Sequence, residues 1–167
     1  IDFERSVAET EHAPLTPLVM NIGSRSTMSL DGTWKALVDP NKSMLGRLFG
    51  VIARNAQPEG PSELLEFSFD NGQILNVPGD WNTQDDRLYF YRGMVWYKRT
   101  FDYGFDFNKR SFLYFGAANY DASVYLNGKR VGRHVGGHTA FNFEVTGLLE
   151  DGENLLVVSV DNEHAAN

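Results

Sequence analysis

YDASVYLNGKRVGRHVGGHTAFN, residues 120–142, decides how the rest of the chain is read. Ala122 to Leu126 alternates small, polar and apolar residues with period two, Asn127-Gly128 interrupts, and Lys129 to Val135 resumes as a second run. Successive side chains of a strand point to opposite faces, so this alternation predicts two strands, each with one face toward a core. Asn-Gly between them predicts a type I′ hairpin turn, because both central residues need positive φ and these two accept it at least steric cost. Gly136-Gly137 ends the second strand, and Phe141 and Phe143 open a third run with both rings on one face.

The same rhythm extends in both directions. Met28 to Val38 reads as the first strand, with Asp31-Gly32 as a turn or bulge and Trp34 as a core anchor. Leu64 to Phe69 and Gln73 to Val77 flank Asp70-Asn71-Gly72, a second hairpin signal. Met94 to Phe101, Ser111 to Phe115, Ala122 to Leu126, Lys129 to His134, Ala140 to Val145 and Asn154 to Val160 bring the count to roughly nine or ten strands. Short strands at this spacing, without long crossover helices, predict an all-β, antiparallel β-sandwich rather than a parallel sheet. Two stretches break the pattern. Ile1 to Thr27, with Pro14 and Pro17, reads as an extended arm ahead of a single domain over residues 28–167. Met44, Leu45, Leu48, Phe49 and Ile52 recur at helical spacing behind Ser43, which predicts one short helical insertion near 43–54. Its apolar face either covers one end of the sandwich or docks another domain.

Composition narrows the function classes. A chain of 167 residues buries roughly two-thirds of its unfolded surface and needs no staple. With no cysteine, disulfides, thiolate nucleophiles and zinc-thiolate sites are excluded, while the compartment stays open, an exported location being favoured over a cytoplasmic one. A net charge of −7 without a Lys/Arg cluster argues against nucleic acid and anionic membrane as partners. No apolar run approaches the roughly 18 residues of a membrane span. The chain begins at Ile1 rather than Met, so a trimmed or processed precursor is expected. No cofactor-binding motif is present. His134 and His138 flank the Gly136-Gly137 pair, but a metal site would need a third ligand, and no metal is expected.

The central string resembles the N-terminal sugar-binding domain of glycoside hydrolase family 2, the β-galactosidases, β-glucuronidases and β-mannosidases. That family carries a pattern close to V-Y-x-N-G-x-x-V-G-x-H-x-G-G-x-T-x-F. It stands here as Val124, Tyr125, Asn127, Gly128, Val131, Gly132, His134, Gly136, Gly137, Thr139 and Phe141. Upstream, L-D-G-T-W (Leu30 to Trp34), V-P-G-D-W-N (Val77 to Asn82) and Y-R-G-M-V-W-Y-K-R-T-F (Tyr91 to Phe101) follow in the family's order. Downstream stand F-x-V-T (Phe143 to Thr146), G-E-N-L-L-V-V-S-V (Gly152 to Val160) and Asp161-Asn162, so the resemblance covers Ser29 to Asn162.

The resemblance implies a jelly roll and a non-catalytic role. Glycoside hydrolysis needs two carboxyl groups flanking the scissile bond, and in the family both lie in a separate (β/α)8 barrel, so no residue here is assigned catalysis. The implied partners are that barrel and an immunoglobulin-like domain of the parent chain, with a β-galactoside or β-glucuronide as substrate, hydrolysed with retention. The family's domain continues past the last strand here, so a missing closing strand and an open sheet edge are expected, which leaves homo-oligomerisation open. Two rival readings stand beside this one: a free-standing carbohydrate-binding module, with sugar affinity of its own, and a purely structural scaffold.

The loop Trp81 to Gly93, WNTQDDRLYFYRG, is the candidate for reaching a sugar. It joins two strands and gathers Asp85, Asp86, Arg87, Tyr89, Tyr91 and Arg92 as candidate substrate-binding residues. Aromatic faces suit pyranose rings, and carboxylates and guanidinium groups suit hydroxyls. The competing reading is a solvated Asp–Arg pair with tyrosines packed at a sandwich rim. Trp81, Trp96, Phe141 and Phe143 read as core or interface aromatics, and Gly132, Gly136 and Gly137 as backbone positions that disfavour a Cβ. In galactosidase relatives a polar residue near the position of Tyr91 touches substrate, which puts Tyr91 and Arg92 first.

Overall fold

A computed structural model describes residues 17–42 and 68–163. Eight strands lie among them: β1 (Gly32–Asp39), β2 (Gln73–Val77), β3 (Met94–Tyr103), β4 (Phe112–Phe115), β5 (Asp121–Leu126), β6 (Lys129–Val135), β7 (Phe141–Glu144) and β8 (Gly152–Asp161). Six form one sheet in the order β2-β1-β3-β8-β5-β6, and β4 pairs with β7 in a second. Every pairing is antiparallel. The expected sandwich is therefore present.

Period-two alternation builds the core. Trp34 and Ala36 of β1, Val95 and Tyr97 of β3, Leu156 and Val158 of β8 and Ala122, Val124 and Leu126 of β5 share one face of the large sheet. They pack against Leu113, Phe141 and Phe143 of the small sheet. The opposite face is buried as well. Met94, Trp96, Tyr125 and Val157 form a second cluster with Phe69, and Trp96 is 0% exposed, its indole N–H donating to Asp39 Oδ2 at 3.2 Å. A sheet covered on both faces explains why β3 opens with the unbroken run Met94-Val95-Trp96-Tyr97 rather than an alternating one.

The hairpin at Asn127-Gly128 has the expected geometry, with φ of 50° and 76°. The Asn127 side chain does more than accept the turn. Its Nδ2 donates to Leu148 O at 3.0 Å and to Asn154 Oδ1 at 2.8 Å, while its Oδ1 accepts from Leu155 N at 2.8 Å. Asn154, 0% exposed, accepts from Glu150 N at 2.8 Å and donates to Glu150 O and Gly152 O at 2.8 and 3.0 Å. Both side-chain amides are satisfied, so the turn is riveted to the start of β8.

Other expectations are corrected. β1 begins at Gly32, where φ is 120°, four residues later than Met28. Asp70-Asn71-Gly72 is passed by a 3-10 turn, Phe69–Asn71, capped by the Ser68 hydroxyl, and the strand after it, β2, pairs with β1. The helix expected near 43–54 and residues 64–67 of the strand expected from Leu64 to Phe69 lie outside the described residues. Of Gly132, Gly136 and Gly137, only Gly136 has positive φ, at 148°. Gly132 instead lies under the Phe143 ring, where an added Cβ would fall 2.6 Å from Cδ1, and a Cβ added at Gly137 would fall 2.9 Å from Asn119 Oδ1. His134 stacks on Phe141, centroids 4.1 Å apart, with Nε2 3.1 Å from Thr139 Oγ1, which ties β6 to the small sheet.

Candidate functional site

The segment between β2 and β3 is built by local caps. The Asp80 carboxylate accepts from Asn82 N at 2.9 Å and opens a single α-helical turn, α1 (Trp81–Gln84). The Asp85 carboxylate then accepts from Arg87 N at 2.9 Å and opens a 3-10 turn over Asp86–Leu88. Trp81 and Leu88 point into the core and anchor both turns. Asn82 holds the far side together, its Nδ2 donating to Leu88 O at 2.5 Å, Tyr89 O at 3.3 Å and Tyr91 O at 3.0 Å. What reads in the sequence as a thirteen-residue loop is thus a pair of capped turns.

This geometry divides the six candidates. Asp85 and Arg87 pair with each other, Arg87 Nη2 lying 2.7 Å from Asp85 Oδ2 and 3.3 Å from Gln73 Oε1 on β2. The Arg87 guanidinium, followed by its backbone N–H, holds the Asp85 carboxyl below its ordinary range. Their hydrogen bonds are spent on the turn and the β2 edge, the solvated pair that the competing reading describes. Asp86 is exposed at the start of the 3-10 turn. Tyr89, Tyr91 and Arg92, by contrast, meet at a cleft of about 400 Å³, within the roughly 300–1,000 Å³ of small-molecule sites.

Residues that the sequence reading did not single out complete the cleft, Phe90, Asn82 and Asn162 among them. Phe90, 89% exposed, meets Tyr89, 60% exposed, edge to face at 4.7 Å, so an aromatic corner stands in solvent. Asn82 lines the wall. Asn162, just past β8, accepts from Gly93 N at 2.9 Å and donates its own N–H to Gly93 O at 3.2 Å. The hints were Asn82 and Asn162 themselves, each closing a matched motif without a strand or turn role.

Tyr91 is a support as much as a contact. Its hydroxyl donates to Met94 O at 2.9 Å, and burial, with the negative charges of Asp39 and Asp161 nearby, pushes its pKa up to about 12. Behind it, Lys42 Nζ lies 2.7 Å from Asp161 Oδ2 and 3.0 Å from Glu163 Oε2. That bridge clamps the residues on either side of Asn162. Arg92 is the one charged residue lining the cleft among those described, and no described residue bonds its guanidinium. The arrangement offers a cation, amide and hydroxyl groups and two aromatic faces to a polar ring.

Comparison with known proteins agrees with the fold. Residues 27–165 match the model of the glycosyl hydrolases family 2, sugar binding domain. A β-galactosidase of Thermoanaerobacter pseudethanolicus is 34% identical over 117 residues, 64% of this chain and 16% of that protein. A β-glucuronidase of Canis lupus familiaris is 35% identical over 137 residues, 77% of this chain and 19% of that protein. The solved β-glucuronidase of Bifidobacterium dentium, complexed with coumarin-3-O-glucuronide, superposes with a TM-score of 0.61 at 33% identity, covering 81% of this chain and 20% of that one. The chain spans between 11% and 22% of the length of the curated relatives it matches. With the match running through all the described strands, this chain belongs to the sugar-binding domain of the family 2 glycosyl hydrolases.

Proposed function

We propose that this domain serves a retaining exo-glycosidase of the β-glucuronidase or β-galactosidase class, and that it walls the active site of a (β/α)8 barrel without supplying a catalytic group. The observation that carries the reading is the cleft where Tyr89, Phe90, Arg92 and Asn162 converge at the end of the sandwich. Both relatives named above as enzymes act, by their names, on β-linked sugars. In this reading the aromatic corner shields one face of the sugar, and Arg92 and Asn82 meet its polar substituents. Asp85, Asp86 and Arg87 keep the turns in shape or stand in solvent. An immunoglobulin-like domain and the barrel are the partners in the parent chain. Because the barrel supplies most contacts, the domain alone holds a monosaccharide only weakly.

The test is the activity of the enzyme that carries this domain on nitrophenyl β-D-glucuronide and nitrophenyl β-D-galactoside, with the anomer released followed by proton NMR. Hydrolysis of one of them with a β product first formed is expected. Inverted product, or activity on neither glycoside, overturns the proposal.

A further inference from the structure

The outer face of the large sheet carries a depression of about 530 Å³ that the loop cleft does not include. Its shape follows from register. Ser159 of β8 sits opposite Trp96 on β3 and Ser123 on β5, and Ser123 sits opposite Arg133 on β6. One step toward the cleft end, Asp161 pairs with Met94 and with Asp121; one step away, Val157 pairs with Tyr125, and Tyr125 with Arg130. Residues two apart on a strand lie about 6.7 Å apart, so two adjacent serines leave a trough between a taller row ending in carboxylates and one ending in Tyr125.

The lining of this trough is chemically specific. The Arg133 guanidinium grips the Asp121 carboxylate through two nitrogens, Nε at 2.7 Å and Nη2. Lys42 takes Asp161. Charges that compensate each other in pairs need no ionic ligand, yet each keeps lone pairs or N–H groups that can meet a hydroxyl. Ser159 is 2% exposed, lines the depression, and has no hydrogen-bond partner among the described residues. Facing the depression, its hydroxyl is available both to donate to and to accept from a ligand hydroxyl. Tyr125, stacked on Trp96 with centroids 6.0 Å apart, supplies an aromatic edge beside it.

We propose that this trough is a second carbohydrate site, taking one pyranose of a neutral glycan with its ring edge on Ser123 and Ser159 and its hydroxyls on the Asp121–Arg133 pair and Arg130. It binds in the domain alone, independently of the loop cleft and of any barrel. The test is amide NMR titration of the chain with methyl β-D-glucopyranoside, methyl β-D-galactopyranoside and methyl β-D-glucuronide into the tens of millimolar. Saturable shifts centred on Ser123, Tyr125 and Ser159 with a neutral glycoside are expected. Ser159→Val should weaken binding about tenfold, the equivalent of one well-made hydrogen bond. Arg130→Ala, at an exposed edge position, should weaken it about threefold with the spectrum otherwise unchanged. Shifts confined to Tyr89–Arg92, tighter binding of the glucuronide than of either neutral glycoside, no saturable shift, or unchanged affinity in folded Arg130→Ala would each overturn the site.

Discussion

Replacing Asn154 with alanine tests how the hairpin that organises the sequence is fastened. The side chain is 0% exposed, and its four hydrogen bonds measure 2.8 Å to Asn127 Nδ2, 2.8 Å to Glu150 N, 2.8 Å to Glu150 O and 3.0 Å to Gly152 O. At about 1 kcal/mol net for each bond the ceiling is about 4 kcal/mol. Asn127 Nδ2 keeps its bond to Leu148 O at 3.0 Å, which returns part of one. Asn154→Ala should therefore cost about 3 kcal/mol, or about 6–12 °C in Tm for a chain of this size. Urea unfolding reads this as a lower midpoint at unchanged slope. Asn154→Asp adds a signed control. It keeps one acceptor but turns a second oxygen toward the carbonyls of Glu150 and Gly152, so burial and those carbonyls raise its folded pKa above the unfolded value. Its neutral form is the stabilised one, and the loss at neutral pH should shrink as pH falls through that raised pKa. A cost below about 1 kcal/mol for Asn154→Ala would refute the reasoning, since the four bonds would then be worth no more than one.

Other expectations follow from single contacts. Gly132→Ala places a Cβ 2.6 Å from Phe143 Cδ1 and should cost about 1–3 kcal/mol by thermal unfolding, as overpacked core positions do. Glu144, gripped by Arg110 at 2.9 and 2.6 Å and by Thr146 Oγ1 at 3.0 Å, has its pKa lowered to about 2. Its contribution is complete above the ordinary carboxylate range and fades as pH falls toward 2, so carbon NMR should find its midpoint near 2 and Arg110→Ala should return it upward. Tyr91, pushed up to about 12, is held neutral, so the stability that it confers is complete below its unfolded pKa and lost as pH rises toward 12. Burial raises Tyr97 and Tyr125 as well, so ultraviolet titration should show several late phenols, of which Tyr91→Phe removes one.

The parts of the fold legible in the sequence are those set by short-range chemistry. Asn127-Gly128 announced its turn because few residues tolerate positive φ, and the alternation on either side fixed which side chains of β5 face the core. The second buried face was written less plainly, in the unbroken apolar start of β3, because a continuous run says that both faces are covered but not by what. At the candidate site, composition alone could not separate Asp85 and Arg87 from Arg92. The first two capture each other only because Asp85 caps a 3-10 turn, which brings its carboxylate to the side chain two residues on. Asn162 was hidden for a different reason: it meets Gly93 across 69 positions of sequence, and only the pairing of β3 with β8 brings the two together.

The central claim is that the corner formed by Tyr89, Phe90 and Arg92 touches the sugar that the enzyme hydrolyses. It is tested most directly by kcat/KM of the enzyme carrying this domain, wild type against Arg92→Ala and Phe90→Ala, on its better nitrophenyl glycoside. Both side chains are exposed in the domain, so neither change should disturb its fold. A fall of about tenfold in each, close to 1.4 kcal/mol, is the result that the account predicts. Values within about twofold of wild type for both would contradict it and leave the domain as a scaffold.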